Sequence, residues 1–243
     1  DQLDRYGEIT HTLSNIRQGI RGVPDAVVCL NADCSLTASL AGDISNRCLF
    51  YGLGEALGGG EPPAVSDASH CIHCKAEYTY KYRTYGHLGH FVCPACGYER
   101  PGTDVTVTKL LSKDADSSTV VMEAGGLSRT VRVNLPAVYN IYNAAGSSAA
   151  LMAFGMDPDR AMQCAENFQC GFGRMERFDQ NGTVSRMILV KNPAGCNQVI
   201  EYLNGLNEAY LPVFLLNDNA ADSRDISWIW DADYEKFAAA YQG

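Results

Sequence analysis

Four cysteines in the first half of the chain have the spacing of a metal site. Cys71 and Cys74 form one C-x-x-C pair, and Cys93 and Cys96 form a second pair after eighteen intervening residues. Each pair can make a tight turn that directs two sulfurs at one ion, and four thiolates at about 2.3 Å suit tetrahedral Zn²⁺. Because four thiolates leave no open coordination position, the spacing predicts a structural zinc ion rather than a catalytic one.

The residues between the two pairs predict the small fold that holds this ion. Tyrosines alternate from Tyr78 to Tyr82, and glycines follow at Gly86 and Gly89, which is typical of a hairpin. A hairpin with one cysteine turn at each end is a zinc ribbon, and we place it at residues 66–100. The alternatives are two chance pairs or a redox dithiol. Nearby histidines are expected at the surface or beside the site rather than as ligands; they are His70, His73, His87 and His90.

Outside the ribbon, polar residues in three places could contact a ligand. Asn140 and Asn143 lie three residues apart on one predicted helix, where their amides could hold a base or sugar, or bond a neighbouring loop. Arg174 follows a glycine in a predicted turn and could bind a phosphate through two hydrogen bonds, or form an ordinary surface salt bridge. Asp225 ends the polar loop 217–225, whose composition is typical of a solvated turn.

The elements predicted around these residues form an α/β fold. Apolar spacing predicts a helix over 4–20, strands over 26–30 and 47–51, and a short helix between those strands that Asp33 caps. A strand, a helix and a strand in this order indicate a parallel sheet. After the ribbon, strands are predicted at 104–111, 118–124 and 128–134, the last two joined by a hairpin turn at Gly125–Gly126.

A second unit is predicted after the clearest helix, residues 136–154. Asp157 is expected to cap the next helix. Glycine-rich and polar residues at 171–181 then indicate a boundary, which divides the chain into domains at 1–180 and 181–243. In the second domain we expect strands at 185–190 and 211–216 and a helix at 197–204.

Composition excludes several functional classes. The chain has 243 residues, 46% hydrophobic, and a net charge of −9, so it can bury a core and lacks the basic surface of a general nucleic-acid binder. It contains no apolar run of eighteen residues and no signal peptide pattern. The six cysteines outside the ribbon are scattered, which indicates reduced thiols in a cytoplasmic protein.

Several stretches of the chain share one resemblance. They are DQLDRYGE at 1–8, LNAD at 30–33, NLPAVYNIYNAAGSSAA at 134–150 and FGRMERF at 172–178. Together they resemble the Mur ligases, the ATP-dependent ligases of peptidoglycan precursors. The four-cysteine insertion, KNPAG at 191–195 and LNDNAADSRDISWIWDADYE at 216–235 are similar to the MurT family, the ligase-like subunits of lipid II isoglutaminyl synthase.

This resemblance implies a fold and an activity. The fold would be a Mur ligase central domain, a parallel-rich sheet with helices, that carries the zinc ribbon and precedes a partial Rossmann-like C-terminal domain. The activity would be ATP- and Mg²⁺-dependent amidation of the D-glutamate α-carboxyl in the lipid II stem peptide, at the inner face of the cell membrane. Ammonia would come from glutamine through a GatD-type glutamine amidotransferase subunit, with which the chain would form a heterodimer.

The resemblance also implies roles for particular residues. Asn140 and Asn143 match the family's N-x-x-N-x-x-A motif near the adenine, and Arg174 matches its nucleotide-phosphate arginine. Asp225 matches an aspartate that completes the Cys–His pair of the partner amidotransferase across the subunit interface. A carboxylate in that place fixes the histidine tautomer and stabilises its charged form.

Departures from the family and competing functions are also expected. The chain has no G-x-x-x-x-G-K-[ST] loop, which lies upstream of DQLDRYGE in the family, and its C-terminal domain would end early, after Tyr241. We therefore expect a fragment, cut at both ends and inactive alone. Residues 188–193 also lack the aspartate of the family's D-x-A-H-N-P stretch, so that acid contact would be missing. One alternative is a self-sufficient amino-acid ligase of the Mur or folylpolyglutamate type. Another is a non-catalytic zinc-ribbon adaptor that binds protein or nucleic acid through Tyr78, Tyr80 and Tyr82, although the acidic charge counts against nucleic acid.

Overall fold

The part of the chain that the computed structural model describes, residues 9–54, 57, 68–168, 174–217, 219 and 226–241, alternates strands and helices as an α/β fold does. Its helices are α1 (Ile9–Arg21), α2 (Ser35–Ser39), α3 (Val138–Ala153), α4 (Pro158–Cys164), α5 (Pro193–Asn204) and α6 (Tyr234–Ala240). Its strands are β1 (Val28–Asn31), β2 (Cys48–Leu53), β3 (Thr79–Tyr85), β4 (Leu88–Val92), β5 (Val105–Lys113), β6 (Ser118–Ala124), β7 (Leu127–Val133), β8 (Arg174–Gln180) and β9 (Thr183–Ile188). Short 3-10 helices lie at Leu40–Asp43, Ala165–Asn167 and Ser227–Asp231.

One mixed sheet of five strands forms the centre of the molecule, in the order β1-β2-β5-β6-β7. Strands β1, β2 and β5 are parallel, as the strand–helix–strand pattern predicts, and β6 and β7 continue the sheet antiparallel. The predicted turn between β6 and β7 is confirmed: Gly125 and Gly126 have φ of 58° and 78°, which a two-residue hairpin turn requires. The ribbon hairpin, β3 and β4, is inserted between the parallel strands β2 and β5.

Helix α3 packs on this sheet and completes the main core. Its buried face includes Ile141 and Ala145, which belong to the same apolar cluster as Val107 and Met122 of the sheet. Gly146 permits the close approach, because a Cβ there would lie 3.0 Å from the ring of Tyr51 on β2. Burial of such side chains is the principal favourable contribution to folding, so α3 is held by the sheet rather than by helix propensity.

The helix ends show which local predictions are right. Asp157 caps α4 as predicted, accepting hydrogen bonds from the backbone N–H groups of Asp159 and Arg160. The prediction that Asp33 caps α2 is wrong, because Cys34 occupies the cap position and makes no side-chain cap bond. The carboxylate of Asp33 is instead engaged in the core.

The end of the chain departs from the predicted order of elements. Residues 174–180, predicted as a polar boundary, form strand β8, which pairs with β9 in a separate hairpin, so the predicted division at 180/181 falls in its turn. The strand predicted at 211–216 is wrong, because these residues have no regular structure and mostly exposed side chains. Helices α5 and α6 pack around Cys196, Ile200 and Phe237. The described residues after β9 contain no strand, and a Rossmann-like C-terminal domain stays a prediction.

No helix in the described part of the chain combines the length and apolar character that crossing a membrane requires.

Candidate functional site

The sulfurs of the four ribbon cysteines lie together in space. The sulfur atoms of Cys71, Cys74, Cys93 and Cys96 all lie within 4.8 Å of one another. The Sγ atoms of Cys71 and Cys96 are 3.6 Å apart, and those of Cys74 and Cys93 are 3.4 Å apart. A disulfide would need about 2.05 Å, whereas a zinc tetrahedron with bonds of about 2.3 Å places its sulfurs about 3.8 Å apart. The spacing therefore fits a tetrathiolate zinc site and no disulfide.

The backbone folds each cysteine pair into the same turn. The N–H of Lys75 donates to the carbonyl of Cys71 at 2.9 Å, and the N–H of Gly97 donates to the carbonyl of Cys93 at 3.0 Å. Both donors have positive φ, 67° for Lys75 and 75° for Gly97. Glycine takes this conformation without strain, but lysine does not, so the first turn retains a local cost that the folded ribbon must offset.

Backbone N–H groups favour the thiolate form of two of these cysteines. Burial opposes ionisation of Cys71, but hydrogen bonds from the N–H groups of Cys74 and His73 outweigh it and lower the Cys71 pKa to about 6. The pKa of Cys93 is lowered in the same way against its burial. The pKa of Cys96 is raised, because the neighbouring sulfurs outweigh a favourable backbone N–H from Tyr98. Four sulfurs this close repel one another as thiolates, and a divalent cation would relieve that repulsion.

An aromatic cluster joins the ribbon to the α/β core. Tyr78 and Phe91 contact edge to face with ring centroids 5.2 Å apart, and Tyr98 lies 5.3 Å from Phe91. The cluster continues onto Ala38 of α2 and Phe50 of β2. Aromatic pairs of this geometry add about 0.5–1.5 kcal/mol of stabilisation beyond their burial. These contacts therefore hold the ribbon against α2 and the sheet.

The three alternating tyrosines have structural contacts. Tyr78 is 4% exposed, and its hydroxyl accepts a hydrogen bond from the N–H of Ile72. The hydroxyl of Tyr80 donates to the carbonyl of His87 at 3.1 Å, and that of Tyr82 donates to the carbonyl of Leu53. Arg83 also lies over the Tyr80 ring, 4.0 Å from its centroid, and His90 contacts the Tyr82 ring. With Tyr78 buried as well, these rings are not free for stacking with bases, which counts against the nucleic-acid form of the adaptor hypothesis.

The four histidines near the ribbon contact groups other than the zinc-site sulfurs. Their partners are the Ser69 hydroxyl for His70, the Tyr98 ring for His73, the Cys34 sulfur for His87 and the Tyr82 ring for His90. Three of these contacts lie within the ribbon, and only that of His87 joins it to the loop after β1.

A buried carboxylate lies where the ribbon meets the sheet. Asp33 is 0% exposed, and its Oδ1 accepts a hydrogen bond from Nε of Arg100 at 2.5 Å. Its Oδ2 accepts from the N–H of Leu53 at 2.8 Å and from the hydroxyl of Tyr142 at 2.6 Å. Gly52 lies beneath the ion pair, because a Cβ there would be 2.6 Å from the Asp33 carboxylate. The residues of this group, which we call the Asp33 node, are Asp33, Gly52, Leu53, Arg100 and Tyr142.

The Asp33 node is not predictable from spacing in the sequence. A polar residue after a buried strand was visible in LNAD at 30–33, but its partners lie 67 and 109 positions away in the chain. No spacing rule connects residues so far apart.

The two asparagines of α3 lie side by side, but one is already bonded. Asn140 is buried, and its Nδ2 donates to the carbonyl of Pro136 at 2.5 Å, while Asn143 Nδ2 lies 3.3 Å from Asn140 Oδ1. The Asn143 side chain is exposed. This arrangement contains the predicted loop bond and still leaves Asn143 at the surface, where it can meet a ligand.

The remaining two predicted site residues are less fully described. Arg174 begins β8 and pairs with Ile188, but its side chain lies outside the described part. Asp225 lies outside the described residues altogether. Both assignments stay predictions.

A cavity of about 300 Å³ lies beside the loop that leads into α3. Its lining includes Arg177, Arg186, Asp116 and Pro136. Arg186 pairs with Asp116 at 3.2 Å and with Glu208 at 2.8 Å. Burial would lower the pKa of Arg186, but Tyr202 and these two carboxylates raise it. A cavity that combines paired arginines, a carboxylate and apolar walls suits a polar ligand with an apolar part.

The fold around these residues is that of the Mur ligases. A pseudomurein peptide ligase type C from Methanothermus fervidus superposes with a TM-score of 0.68 at 20% identity, covering 83% of this chain and 39% of that chain. MurF from Acinetobacter baumannii superposes with a TM-score of 0.58 at 15% identity, covering 84% of this chain and 35% of that chain. These similarities establish a Mur ligase-like α/β fold.

Sequence comparison is more specific. The chain is 33% identical over 237 residues to the MurT subunit of lipid II isoglutaminyl synthase (glutamine-hydrolyzing) from Streptococcus pneumoniae, which covers 97% of this chain and 52% of the relative. It is 29% identical over 245 residues to MurT from Staphylococcus aureus strain COL, covering 98% and 52%. Residues 189–242 match the family model described as MurT ligase C-terminal. The predicted resemblance to MurT is confirmed, and the chain spans about half the length of these curated relatives.

Proposed function

We propose that this chain is part of the ligase-like subunit of a glutamine-dependent amide synthase. The subunit would activate the α-carboxyl of D-glutamate in the lipid II stem peptide with ATP, and ammonia would form the amide. The observation that carries this proposal is the similarity to MurT along 97% of the chain, on a Mur ligase-like sheet. Lipid II is membrane-bound, so the subunit would act at the inner face of the membrane.

We infer that the nucleotide lies near the start of helix α3. The exposed amide of Asn143 and the cavity beside Pro136 flank this end of the helix. Asn140 would orient the loop through its bond to Pro136. Arg174 would contact the nucleotide phosphates, where a guanidinium can form two parallel hydrogen bonds. Mg²⁺ would accompany the ATP phosphates.

The ribbon would hold one structural Zn²⁺ through its four cysteines. The chemistry of the donors supports this, because four thiolates at tetrahedral spacing suit zinc and leave no position for substrate. The ion would stabilise the ribbon, and the reaction would take place elsewhere. We also retain the two-domain division, with the ribbon-bearing central domain at 1–180 and a C-terminal domain at 181–243; the family match at 189–242 supports the second unit.

Asp225 is the proposed catalytic residue that this chain gives to its partner. A GatD-type subunit would supply the cysteine and histidine that hydrolyse glutamine, and Asp225 would orient that histidine across the interface. A carboxylate in this position fixes the imidazole tautomer and stabilises the imidazolium form. Glutamine hydrolysis would then require the assembled complex.

The test is glutamine hydrolysis by the full-length subunit with its amidotransferase partner. Asp225→Ala should reduce hydrolysis by about 10³–10⁴-fold, the order expected when a triad carboxylate is lost, while size-exclusion chromatography shows an intact complex. Asp222→Ala, which removes another acidic side chain from the same loop, is the matched control and should retain activity. Unchanged hydrolysis in Asp225→Ala would remove this residue from the mechanism, and amidation without any partner would favour the self-sufficient ligase.

A further inference from the structure

The Asp33 node joins three parts of the molecule that are far apart in the chain. Arg100 belongs to the ribbon, since its backbone N–H donates to the carbonyl of Phe91 on β4 at 3.1 Å. Leu53 ends β2, and its carbonyl accepts from Nη2 of Arg100 at 2.9 Å. Tyr142 belongs to α3. The Asp33 carboxylate is the group that all three contact.

The ribbon also contacts the backbone of Asp33 and the side chain of Cys34, which both lie in the loop between β1 and α2. The N–H of Gly89 donates to the carbonyl of Asp33 at 3.0 Å, and Nε2 of His87 lies 3.4 Å from the Cys34 sulfur. Both the turn of the ribbon hairpin and its exit are thus fixed to the β1–α2 loop. A shift of the ribbon would therefore move the carboxylate to which α3 is bonded.

Tyr142 lies in the part of α3 that carries the proposed nucleotide residues. It directly precedes Asn143 and is two residues after Asn140, so a contact that holds its side chain also constrains the turn that carries both asparagines. The residue at the helix start, Ala137, has φ of 70° and supplies no side-chain cap. The Tyr142 hydroxyl bond to a buried charge is therefore one side-chain tether between these turns and the rest of the fold.

A role in stability alone does not account well for this group. A buried ion pair often stabilises a fold no better than apolar residues of similar volume, because desolvation offsets the Coulomb attraction. A charged, directional contact fixes the positions of the atoms that it joins, whereas an apolar contact does not. The position defined here is that of α3 relative to the ribbon and β2.

We propose that Asp33 is a positioning residue for the nucleotide site. Its carboxylate binds Arg100 of the ribbon and Tyr142 of α3, so the position of the ribbon constrains the α3 turn that carries Asn140 and Asn143. This inference rests on the proposed nucleotide role of those asparagines, and it adds that the ribbon governs their placement. A well-folded ribbon would then favour nucleotide binding without contacting the nucleotide.

The test compares two single-hydroxyl deletions in the full-length, zinc-loaded subunit. Tyr142→Phe removes the bond to Asp33 and leaves the ring in the core. Tyr241→Phe is the matched control, because its hydroxyl also donates to a backbone carbonyl, that of Tyr210 at 3.0 Å, in the cluster around α5 and α6, which contains no residue of the ribbon or of α3. The measurements are amide hydrogen exchange of residues 138–146 and the Kd for a non-hydrolysable ATP analogue with Mg²⁺.

We expect Tyr142→Phe to speed exchange in this turn by about tenfold and to weaken nucleotide binding by about tenfold, the effect of losing one hydrogen bond to a charged group. Tyr241→Phe should change neither. Faster exchange with unchanged Kd would support the tether and overturn the nucleotide role of the asparagines in the proposed function. Unchanged exchange in Tyr142→Phe, or equal effects of both variants, would overturn the positioning role of Asp33.

Discussion

Gly52 provides a sharp test of how tightly the Asp33 node is packed. Replacing it with alanine adds one methyl group, which would lie 2.6 Å from Oδ1 of Asp33 and 2.7 Å from Nη2 of Arg100. Ordinary carbon–oxygen contacts begin near 3.4 Å, so both charged groups would have to move by more than half an ångström. Neither is the end of a freely moving side chain, because the Asp33 carboxylate is buried and also bonded to Leu53 and Tyr142.

The expected magnitude lies between two known effects. Adding a methyl group to a well-packed core destabilises by about 1–3 kcal/mol. Breaking a buried ion pair completely destabilises by about 3–5 kcal/mol. Because the Cβ separates the two charges only partly, we expect Gly52→Ala to lower the free energy of unfolding by about 2–4 kcal/mol.

Urea denaturation of the zinc-loaded protein, followed by circular dichroism, measures this change. Gly19→Ala in α1 is the matched control, since a Cβ there meets no atom within 4 Å and alanine is the better helix former, by about 0.5–1 kcal/mol. A stability of Gly52→Ala equal to that of the wild type would show that the ion pair does not press on this glycine, and the packing argument would fail.

Two further predictions concern the ribbon and the β5–β6 turn. Metal analysis should find about one zinc ion per chain. Cys74→Ser combined with Cys96→Ser should abolish zinc binding, whereas Cys164→Ser, at an exposed cysteine outside the ribbon, should not. Retained zinc in the double variant would contradict the tetrathiolate site. Asp114 accepts hydrogen bonds from the backbone N–H groups of Asp116 and Ser117, which lower its carboxyl pKa from the usual 3.8. Its stabilising contribution should be full above that usual pKa and lost as the pH falls through the lowered value, so the stability difference between wild type and Asp114→Ala should shrink below about pH 4 in urea titrations and stay constant from pH 5 to 7.

Local patterns in the sequence predicted local structure well. The cysteine spacing located the four sulfurs because each C-x-x-C turn is closed by hydrogen bonds within five residues, such as Lys75 to Cys71. Apolar periodicity found α3, and paired glycines found the β6–β7 turn, for the same reason. Each of these features depends on neighbours in the chain.

Features that depend on distant contacts were missed or misjudged. Asp33 looked like a helix cap because aspartate favours that position, but burial beside Arg100 offers its carboxylate a stronger set of donors. The apolar run at 211–216 looked like a strand, yet a strand forms only where another strand pairs with it, and none does so among the described residues. The polar sequence at 174–180 hid β8, whose strand character comes from pairing with β9.

The place of the ribbon in the fold explains how it can affect the sheet at all. Strands β2 and β5 are adjacent and parallel, with Tyr51 opposite Val105, so the chain between them must cross over rather than turn back. In most α/β proteins a helix makes that crossover; here the connection contains the ribbon. Left unstructured, a connection of about fifty residues would cost about 3 kcal/mol in closure entropy.

Zinc binding can offset that cost, since structural sites of this kind bind the ion with about 10–16 kcal/mol of apparent free energy. The chain re-enters the sheet immediately after the ribbon, at Asp104. The Asp104 carboxylate accepts a hydrogen bond from the N–H of Phe50 at 2.7 Å, and the N–H of Asp104 donates to the carbonyl of Phe50 at 2.7 Å. An ordered ribbon therefore favours pairing of β5 with β2 in the observed register, and it also places Arg100 beside Asp33. The proposed zinc site, the sheet pairing and the contacts of the buried carboxylate all involve this one crossover, so the ribbon belongs to the connectivity of the sheet.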